Sequence, residues 1–475
     1  MSSPRLPGPP GHWLVGHLPE FGRDLLGFLT SCARQYGDVC AFRLARWPAV
    51  LVSDPRLIDD VLVAQCDNFI KHRFFWRHVG AIFGEGLLTS EGDAWRRRRR
   101  LAQPAFHRDR LAGYSAIMAE AAEQTAAAWR DGQSLDVHRE MMALTMRIVV
   151  RTLFGSEVRG EARSIGEAFD VATKEIARRF TWPFRIPDAV PTPSNLRYRR
   201  AVGQLDRIVY RFIREAHAPG HDDGRLLSML LSARDEAGAA MTERQVRDEV
   251  VTLFLAGHET TALTLSWTWM LLARHPQVEQ TLWAELAAVL GGRTPGVEDL
   301  SGLPYTEMIV KEALRLYPPA YVIGREAVEP CRLGSHAIGA GTTIFISPWV
   351  LHRDPRFFED PERFRPERWA GDAARRLPRN VYLPFGGGPR VCIGAGFAMM
   401  EATLLLATIA QRWAFRLTPD RRVTLFPSIT LRPGNGVWGT VSQRIPDRGQ
   451  TPSATPTSAG AGTLPAHAGL GTASI

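Results

Sequence analysis

The spacing of apolar residues along the chain is mostly helical. Apolar positions that recur every three or four residues predict helices over about 55–65, 92–102, 110–130, 138–155, 162–180, 195–217, 242–274, 276–290, 304–317 and 395–412. Alternating apolar residues predict a β-hairpin over 39–44 and 49–52, and short strand-like segments lie near 321–346 and 423–441. We therefore expect a mainly α protein with small β-sheets.

One domain accounts for most of the chain. Although 475 residues could hold two or three domains, no fixed-period repeat and no linker divide the sequence, so 1–445 is predicted to form a single domain. Residues 446–475 are rich in Ser, Thr, Pro, Ala and Gly and contain no aromatic residue. Such a segment has little to bury, and we expect a disordered tail.

The longest apolar pattern has a polar interruption at its centre. Thr242 to Gln245 has the form of a capping box, and Pro276 should end the helix, which gives a length of roughly 48 Å. Midway lies the segment Ala-Gly-His-Glu-Thr-Thr, residues 256–261. Glycine costs about 1 kcal/mol inside a helix and threonine can bend one. The interruption therefore calls for a local cause, such as a groove over a bound cofactor.

Charge and cysteine content narrow the class of protein. The chain has 58 basic and 49 acidic residues, a net charge of +9, which leaves nucleic acid, a membrane surface and an acidic protein as partners. Its five cysteines form no Cys-x-x-Cys pair, which fits a reducing compartment better than a zinc site. The N-terminus lacks an apolar signal region, and the most apolar segment, 250–273, contains His258 and Glu259. We expect a cytoplasmic protein without a transmembrane anchor.

A glycine-rich loop around Cys392 carries the strongest chemical signal. Residues 385–394 read FGGGPRVCIG and are followed at once by a helical pattern. A helix N-terminus and a nearby arginine favour the thiolate, and glycines let backbone N–H groups approach the sulfur. The loop thus predicts an easily ionised cysteine suited to be the single axial ligand of a metal cofactor. An ordinary buried cysteine is the alternative.

The pattern Phe-x-x-Gly-x-Arg-x-Cys-x-Gly resembles the haem-thiolate signature of the cytochrome P-450 family. Further family motifs follow in family order, and the resemblance covers about residues 5–440. It implies the cytochrome P-450 fold, with haem b between the 242–274 helix and the cysteine loop. It also implies that Cys392 is the thiolate ligand of the iron, in a cofactor-binding loop that includes Phe385, Gly388 and Gly394.

The interruption in the long helix resembles the oxygen-binding motif of the same family. The resemblance implies that Thr260 hydrogen-bonds dioxygen and that Glu259 supplies protons. This agrees with the chemistry, because an acid beside a hydroxyl can relay protons. The residues alone leave open that Glu259 pairs with an arginine and that Thr260 only bends the helix.

Two further segments resemble a structural motif of the family. Glu312 and Arg315 match its Glu-x-x-Arg pair, and Arg368 matches its third member. The resemblance implies a buried network that fixes the loop carrying the thiolate and is costly to break from one side. For most sequences the same i,i+3 pair would be solvated at the surface.

The run Trp95 to Arg100 contains five arginines. Trp95 and Arg99 are four residues apart and share one helix face. The resemblance implies that both donate to a haem propionate, together with Arg325 and Arg390. The other arginines, such as Arg96, would then face outward on the cysteine side of the haem. We expect this surface to bind an acidic ferredoxin or flavodoxin, which with its reductase supplies electrons, and we do not expect nucleic-acid binding.

Apolar family positions predict the substrate pocket, although core packing explains them equally well; they are Ile82, Leu253, Ala256, Gly257, Val322 and Ile429. Lys71, near the expected pocket mouth, is interpreted as solvated, and contact with a carboxylate is the alternative. The resemblance implies a haem-thiolate monooxygenase, which inserts one atom of O2 into a lipophilic substrate by hydroxylation or epoxidation. We expect the protein to be a monomer. A terpenoid or other secondary metabolite is a candidate substrate. A haem-thiolate peroxygenase or isomerase and a non-catalytic haem-binding protein are the alternatives.

Overall fold

The structure is a computed structural model that describes residues 6–73, 79–80, 82–155, 165–168, 171–172, 174–175, 187, 190–216 and 226–444. Its α-helices are α1 (Leu18–Arg23), α2 (Leu25–Tyr36), α3 (Pro55–Asp59), α4 (Gly92–Ala102), α5 (Arg108–Ala128), α6 (Val137–Phe154), α7 (Pro193–Ala216), α8 (Leu226–Ser232), α9 (Glu243–Arg274), α10 (Pro276–Leu290), α11 (Pro304–Leu316), α12 (Pro348–Leu351), α13 (Ala373–Arg376) and α14 (Ala395–Ala410). Its strands are β1 (Val39–Leu44), β2 (Trp47–Val52), β3 (Phe69–Ile70), β4 (Ser134–Asp136), β5 (Ile323–Ala327), β6 (Cys331–Leu333), β7 (His336–Ile338), β8 (Thr343–Ile346), β9 (Trp413–Leu417), β10 (Leu425–Pro427), β11 (Leu431–Pro433) and β12 (Trp438–Gln443).

Helix α9 runs through the centre of the molecule. The capping box at its start is present: the Thr242 hydroxyl accepts from the Gln245 N–H, and the Gln245 side chain accepts from the Thr242 N–H. Apolar residues on several faces of α9, including Leu263 and Trp267, are completely buried in a core shared with α6, α11 and α14. A helix that is apolar all round must be covered on all sides, and this position places residues 256–261 in the interior.

The sheets lie at the edges of the helical core. The largest has the strand order β1-β2-β8-β5-β3, in which β2 and β8 are parallel and the other neighbours are antiparallel. A three-stranded sheet has the order β4-β12-β9. The hairpin β10–β11 is fastened to α9, because the indole N–H of Trp267 donates to the Leu431 carbonyl over 3.1 Å.

The predicted fold class, mainly α with small β-sheets, is confirmed. The predicted helix over 55–65 ends earlier as an α-helix, and residues 60–64 form a wider helical turn. Helices α1, α2, α8, α12 and α13 were not predicted. The predicted helix over 162–180 lies mostly outside the described residues, and the predicted tail lies wholly outside them. Among the residues with described positions, no helix is both long and apolar enough to cross a bilayer.

Candidate functional site

A cavity of about 2110 Å³ separates α9 from the loop that precedes α14. Helix α9 contributes Ala256, Gly257 and Thr260 to one wall. The opposite wall is formed by the loop, including Phe385, Cys392 and Gly394. The two segments singled out in the sequence therefore face one cavity.

The loop around Cys392 is held in shape by its own backbone. The Cys392 N–H donates to the Phe385 carbonyl over 2.9 Å. Gly388 has φ of +66°, and a Cβ there would lie 2.0 Å from the Leu62 carbonyl oxygen, so only glycine fits. Gly388 itself does not line the cavity, so it shapes the loop from the side that faces away from the cavity.

The surroundings of the Cys392 thiol disfavour its ionisation, contrary to the prediction that this cysteine ionises easily. Although the residue is exposed to the cavity, desolvation raises the pKa of the thiol above its ordinary value. The backbone N–H of Gly394 and the charge of Arg99 lower the pKa by less. Removing water from a thiolate outweighs these two contacts. A coordinated metal cation would supply the missing stabilisation of the thiolate.

Trp95, Arg99, Arg325 and Arg390 all line the cavity on one side. Arg99 donates to the Val391 carbonyl over 2.7 Å and so braces the cysteine loop. Arg325 donates to the Gly324 carbonyl, and burial lowers its pKa to about 10. The Arg390 guanidinium lies 4.3 Å from the centroid of the Trp95 ring.

Lys71 adds a fourth cation to this wall, and its interpretation as a solvated residue was wrong. It is buried, lines the cavity and donates from Nζ to the Leu88 carbonyl. Burial, together with the nearby arginines, holds the pKa of Lys71 well below its ordinary range. Two acids lie near these four cations: Glu91 contacts Arg390, and Glu326, which also lines the cavity, pairs with Arg73. Because buried charge is costly unless it is paired, this wall fits a group with two carboxylates, as haem has.

On the opposite wall, Thr260 faces the cavity and Glu259 does not. The Thr260 hydroxyl donates to the Ala256 carbonyl over 2.7 Å. Glu259 is 3% exposed and accepts from Arg432 Nε over 2.7 Å and from the Thr430 hydroxyl. Burial would raise the pKa of Glu259, but Arg432 and its other partners hold it below the ordinary value. The pairing with an arginine is therefore present, and the proton-supplying role remains a prediction.

A second acid lies near this wall. Glu401, on α14, is 1% exposed, and burial raises its pKa to about 8 despite a hydrogen bond with Thr261. Thr261 follows Thr260 on α9 and also lines the cavity. A pKa raised in this way favours the protonated form of Glu401 at neutral pH. A lone acid in the apolar run 399–410 was the sequence signal for it.

Glu312, Arg315 and Arg368 are brought together behind the cysteine loop. The Glu312 carboxylate is completely buried, accepts two bonds from Arg315 over 2.8 and 2.9 Å, and accepts one from Arg368 over 3.3 Å. His352, which sequence reasoning missed, links this cluster to the loop. Its Nδ1 donates to the Arg315 carbonyl, and its Nε2 accepts from the Leu383 N–H over 2.8 Å.

Most of the predicted substrate contacts line the cavity. They are Leu253, Ala256, Gly257, Val322 and Ile429. Ile82 is the exception, because it is not among the residues that line the cavity. It is 1% exposed and packed in the core, where its carbonyl accepts from Arg247. This hydrogen bond from Arg247, on α9, ties the Ile82 backbone to that helix, and the substrate contact expected of Ile82 is not seen.

Comparison with known proteins decides the family. Residues 6–437, nearly the whole chain, match the family model for Cytochrome P-450. This chain is a cytochrome P-450. A crystal structure of a cytochrome P-450 heme domain superposes with a TM-score of 0.85 at 26% identity, covering 93% of this chain and 98% of that one.

Curated relatives of this cytochrome P-450 include enzymes from Streptomyces. Cyclooctat-9-en-7-ol 5-monooxygenase of Streptomyces melanosporofaciens is 40% identical over 86% of this chain and 88% of its own length. Cyclooctatin synthase of the same organism is 39% identical over 90% and 93%. Pentalenene oxygenase of Streptomyces avermitilis is 37% identical over 86% and 91%. The chain is therefore an oxidoreductase of the monooxygenase class, and its family uses a haem-thiolate cofactor.

Proposed function

We propose that this cytochrome P-450 binds haem b with Cys392 as the axial thiolate and monooxygenates a terpenoid by hydroxylation or epoxidation. The observation that carries the proposal is that Cys392 and Thr260 line one cavity, together with the buried Lys71 and three partly buried arginines. When bound, haem would supply the redox chemistry that activates O2, and a thiolate ligand promotes O–O cleavage.

Each set of cavity residues has a role in this proposal. Lys71, Trp95, Arg99, Arg325 and Arg390 would hold the two haem carboxylates, and Arg99 also keeps the loop in place through Val391. The Thr260 hydroxyl, fixed by the Ala256 carbonyl, offers a polar atom at the cavity surface for dioxygen. Glu259 can supply protons there only after its pair with Arg432 opens.

The substrate proposal rests on the lining and on the relatives. Leu253, Val322 and Ile429 present apolar side chains, which suit a lipophilic molecule and exclude water. The curated Streptomyces relatives are named for cyclooctat-9-en-7-ol and pentalenene. A cyclic terpene hydrocarbon or alcohol therefore fits both observations.

Reconstitution with haem tests the cofactor and the substrate separately. The wild-type protein should give the carbon monoxide difference spectrum of a thiolate-ligated haem, and Cys392→Ser should lose it while keeping its helical circular dichroism. Cyclic terpenes should then displace the axial water, read as a shift of the Soret band, and fatty acids should not. An unchanged carbon monoxide spectrum in Cys392→Ser would refute the ligand assignment, and a response to fatty acids alone would refute the substrate class.

We also propose that electrons come from an acidic ferredoxin or flavodoxin with its reductase. Arg96, on the cysteine-loop side of α4, is half-exposed, although Asp67 and Asp93 partly neutralise it. Reduction by such a partner should slow with rising salt and in Arg96→Glu, but not in Arg207→Glu, an exposed arginine of α7. Full turnover with peroxide and no electron donor would favour the peroxygenase alternative.

A further inference from the structure

Glu91 lies where three segments meet beside the cavity wall that carries Lys71, Arg325 and Arg390. It occupies the N-cap position of α4, yet its side chain makes no capping hydrogen bond to that helix. Instead, Oε1 accepts from the backbone N–H of Lys71 over 2.9 Å, and Oε2 accepts from Arg390. A single carboxylate thus joins the end of β3, the start of α4 and the cysteine loop.

The partners of Glu91 all reach the cavity, whereas Glu91 is absent from the described residues that line it. Lys71 is fixed at its backbone by Glu91 and at its ammonium by Leu88. Arg390 is fixed by Glu91, by the Ser90 carbonyl over 3.1 Å and by the face of Trp95. Any effect of Glu91 on a bound group therefore acts through these neighbours and through its charge.

The charge of Glu91 acts on the buried Lys71 and on two partly buried arginines, Arg325 and Arg390. Burial and the repulsion from Arg390 disfavour the charged forms of Lys71 and Arg325, whereas Glu91 favours them. Burial also disfavours the charge of Arg390, and Glu91 again opposes this effect. Without Glu91, three like charges would face one another in a poorly solvated wall.

We propose that Glu91 is a positioning residue that assembles Lys71, Trp95 and Arg390 for the carboxylates of the cofactor, and that its negative charge lowers the reduction potential of the bound haem. The inference rests on the haem binding proposed above. Assembly follows from the two hydrogen bonds, which order the cations before the cofactor binds. The effect on the potential follows because a fixed negative charge opposes the gain of an electron.

Two measurements on Glu91→Gln separate charge from structure. The glutamine keeps the size of the side chain and removes the charge. At the wild-type midpoint potential, the ratio of reduced to oxidised haem should rise by about threefold to tenfold, as expected for one charge at an effective dielectric constant of about 20. Haem transfer to excess apomyoglobin should become about tenfold faster, because one partner of a partly buried charge pair is lost.

Matched variants complete the experiment. Asp93→Asn removes an acid from the same first turn of α4, where the side chain is 98% exposed and pairs with Arg96, so both values should stay near wild type. Glu91→Asp restores the charge and should return the potential towards wild type, while its shorter reach keeps haem loss fast. If Glu91→Gln does not fold, Glu91→Asp still decides the assembly part, and haem loss at the wild-type rate would overturn it.

The outcomes distinguish this inference from the proposed function. A wild-type potential in a folded Glu91→Gln would overturn the effect of charge, and wild-type haem loss would overturn the assembly role. If the wild-type protein itself takes up no haem, the proposed function fails and the inference fails with it. If the wild type binds haem and Glu91→Gln matches Asp93→Asn in both measurements, the inference alone is rejected.

Discussion

Replacing Glu312 with alanine should destabilise this cytochrome P-450 more than most single substitutions. The carboxylate is 0% exposed and accepts from five donors: Nε and one terminal nitrogen of Arg315, Nε of Arg368, the indole of Trp369 and the backbone N–H of Arg365. Alanine leaves all five without this acceptor. It also leaves the Arg315 guanidinium buried without its counter-ion.

The size of the effect follows from these contacts. Breaking a buried ion pair from one side costs about 3–5 kcal/mol, and a buried donor left unsatisfied costs about 1–3 kcal/mol. Because the costs overlap, we expect a loss of roughly 4–6 kcal/mol. A domain of roughly 430 residues has an unfolding entropy near 0.9 kcal/mol/K, so the melting temperature should fall by about 4–7 °C.

Thermal and urea unfolding of the purified protein would measure this loss. Glu307→Ala is the matched control, because Glu307 lies on the same helix but is 43% exposed in an i,i+4 pair with Lys311, worth less than about 1 kcal/mol. Glu312→Ala should also lose haem faster, since Arg315 is linked through His352 to Leu383, just before the cysteine loop. A melting temperature and haem retention equal to those of Glu307→Ala would refute the reasoning.

Three further predictions concern buried titratable groups. Burial lowers the pKa of His352 to about 3 and those of His138 and His258 to about 4. The unfolded chain therefore binds more protons below pH 6.5, so the urea midpoint should fall steadily from pH 6.5 to 4; a flat profile would contradict this. Because burial raises the pKa of Glu401 to about 8, the free energy of unfolding of the wild type should fall as pH rises from 4.5 to 8. Glu401→Gln should therefore gain stability relative to the wild type over that range, and its infrared spectrum should lack one protonated-carboxyl band. Removing the counter-ion of Glu259 by Arg432→Gln should raise the pKa of that acid and shift the pH profile of turnover upward, whereas an unshifted profile would show that the pair does not control the acid.

Local signals in the sequence predicted much of the fold and part of the site. The bounds of α9 follow from the capping box at Thr242 and from Pro276, both of which act within one helical turn. The loop around Cys392 follows from a contiguous motif. Helix α2 was missed because Gly27 interrupts a short pattern; its N–H is in fact capped by the Asp24 side chain.

The remaining parts of the site depend on contacts between distant segments. Glu91 meets Arg390 from 299 positions away, and Glu259 meets Arg432 from 173 positions away. Such pairs leave no periodic signal in one sequence. The thiol of Cys392 shows the same limit for energetics, because a nearby arginine and a helix start were visible in the sequence but the desolvation that outweighs them was not.

The hairpin β10–β11 has a consequence for engineering this enzyme. Its turn places Ile429 in the cavity wall, while the next residues hold the Glu259 carboxylate through Thr430 and Arg432. A substitution at residue 429 that reshapes the pocket therefore also shifts Thr430 and Arg432, which hold the Glu259 carboxylate. Altered selectivity obtained there should come with altered efficiency of proton supply. Val322, on a separate segment of the wall, offers a position where the two properties can vary independently.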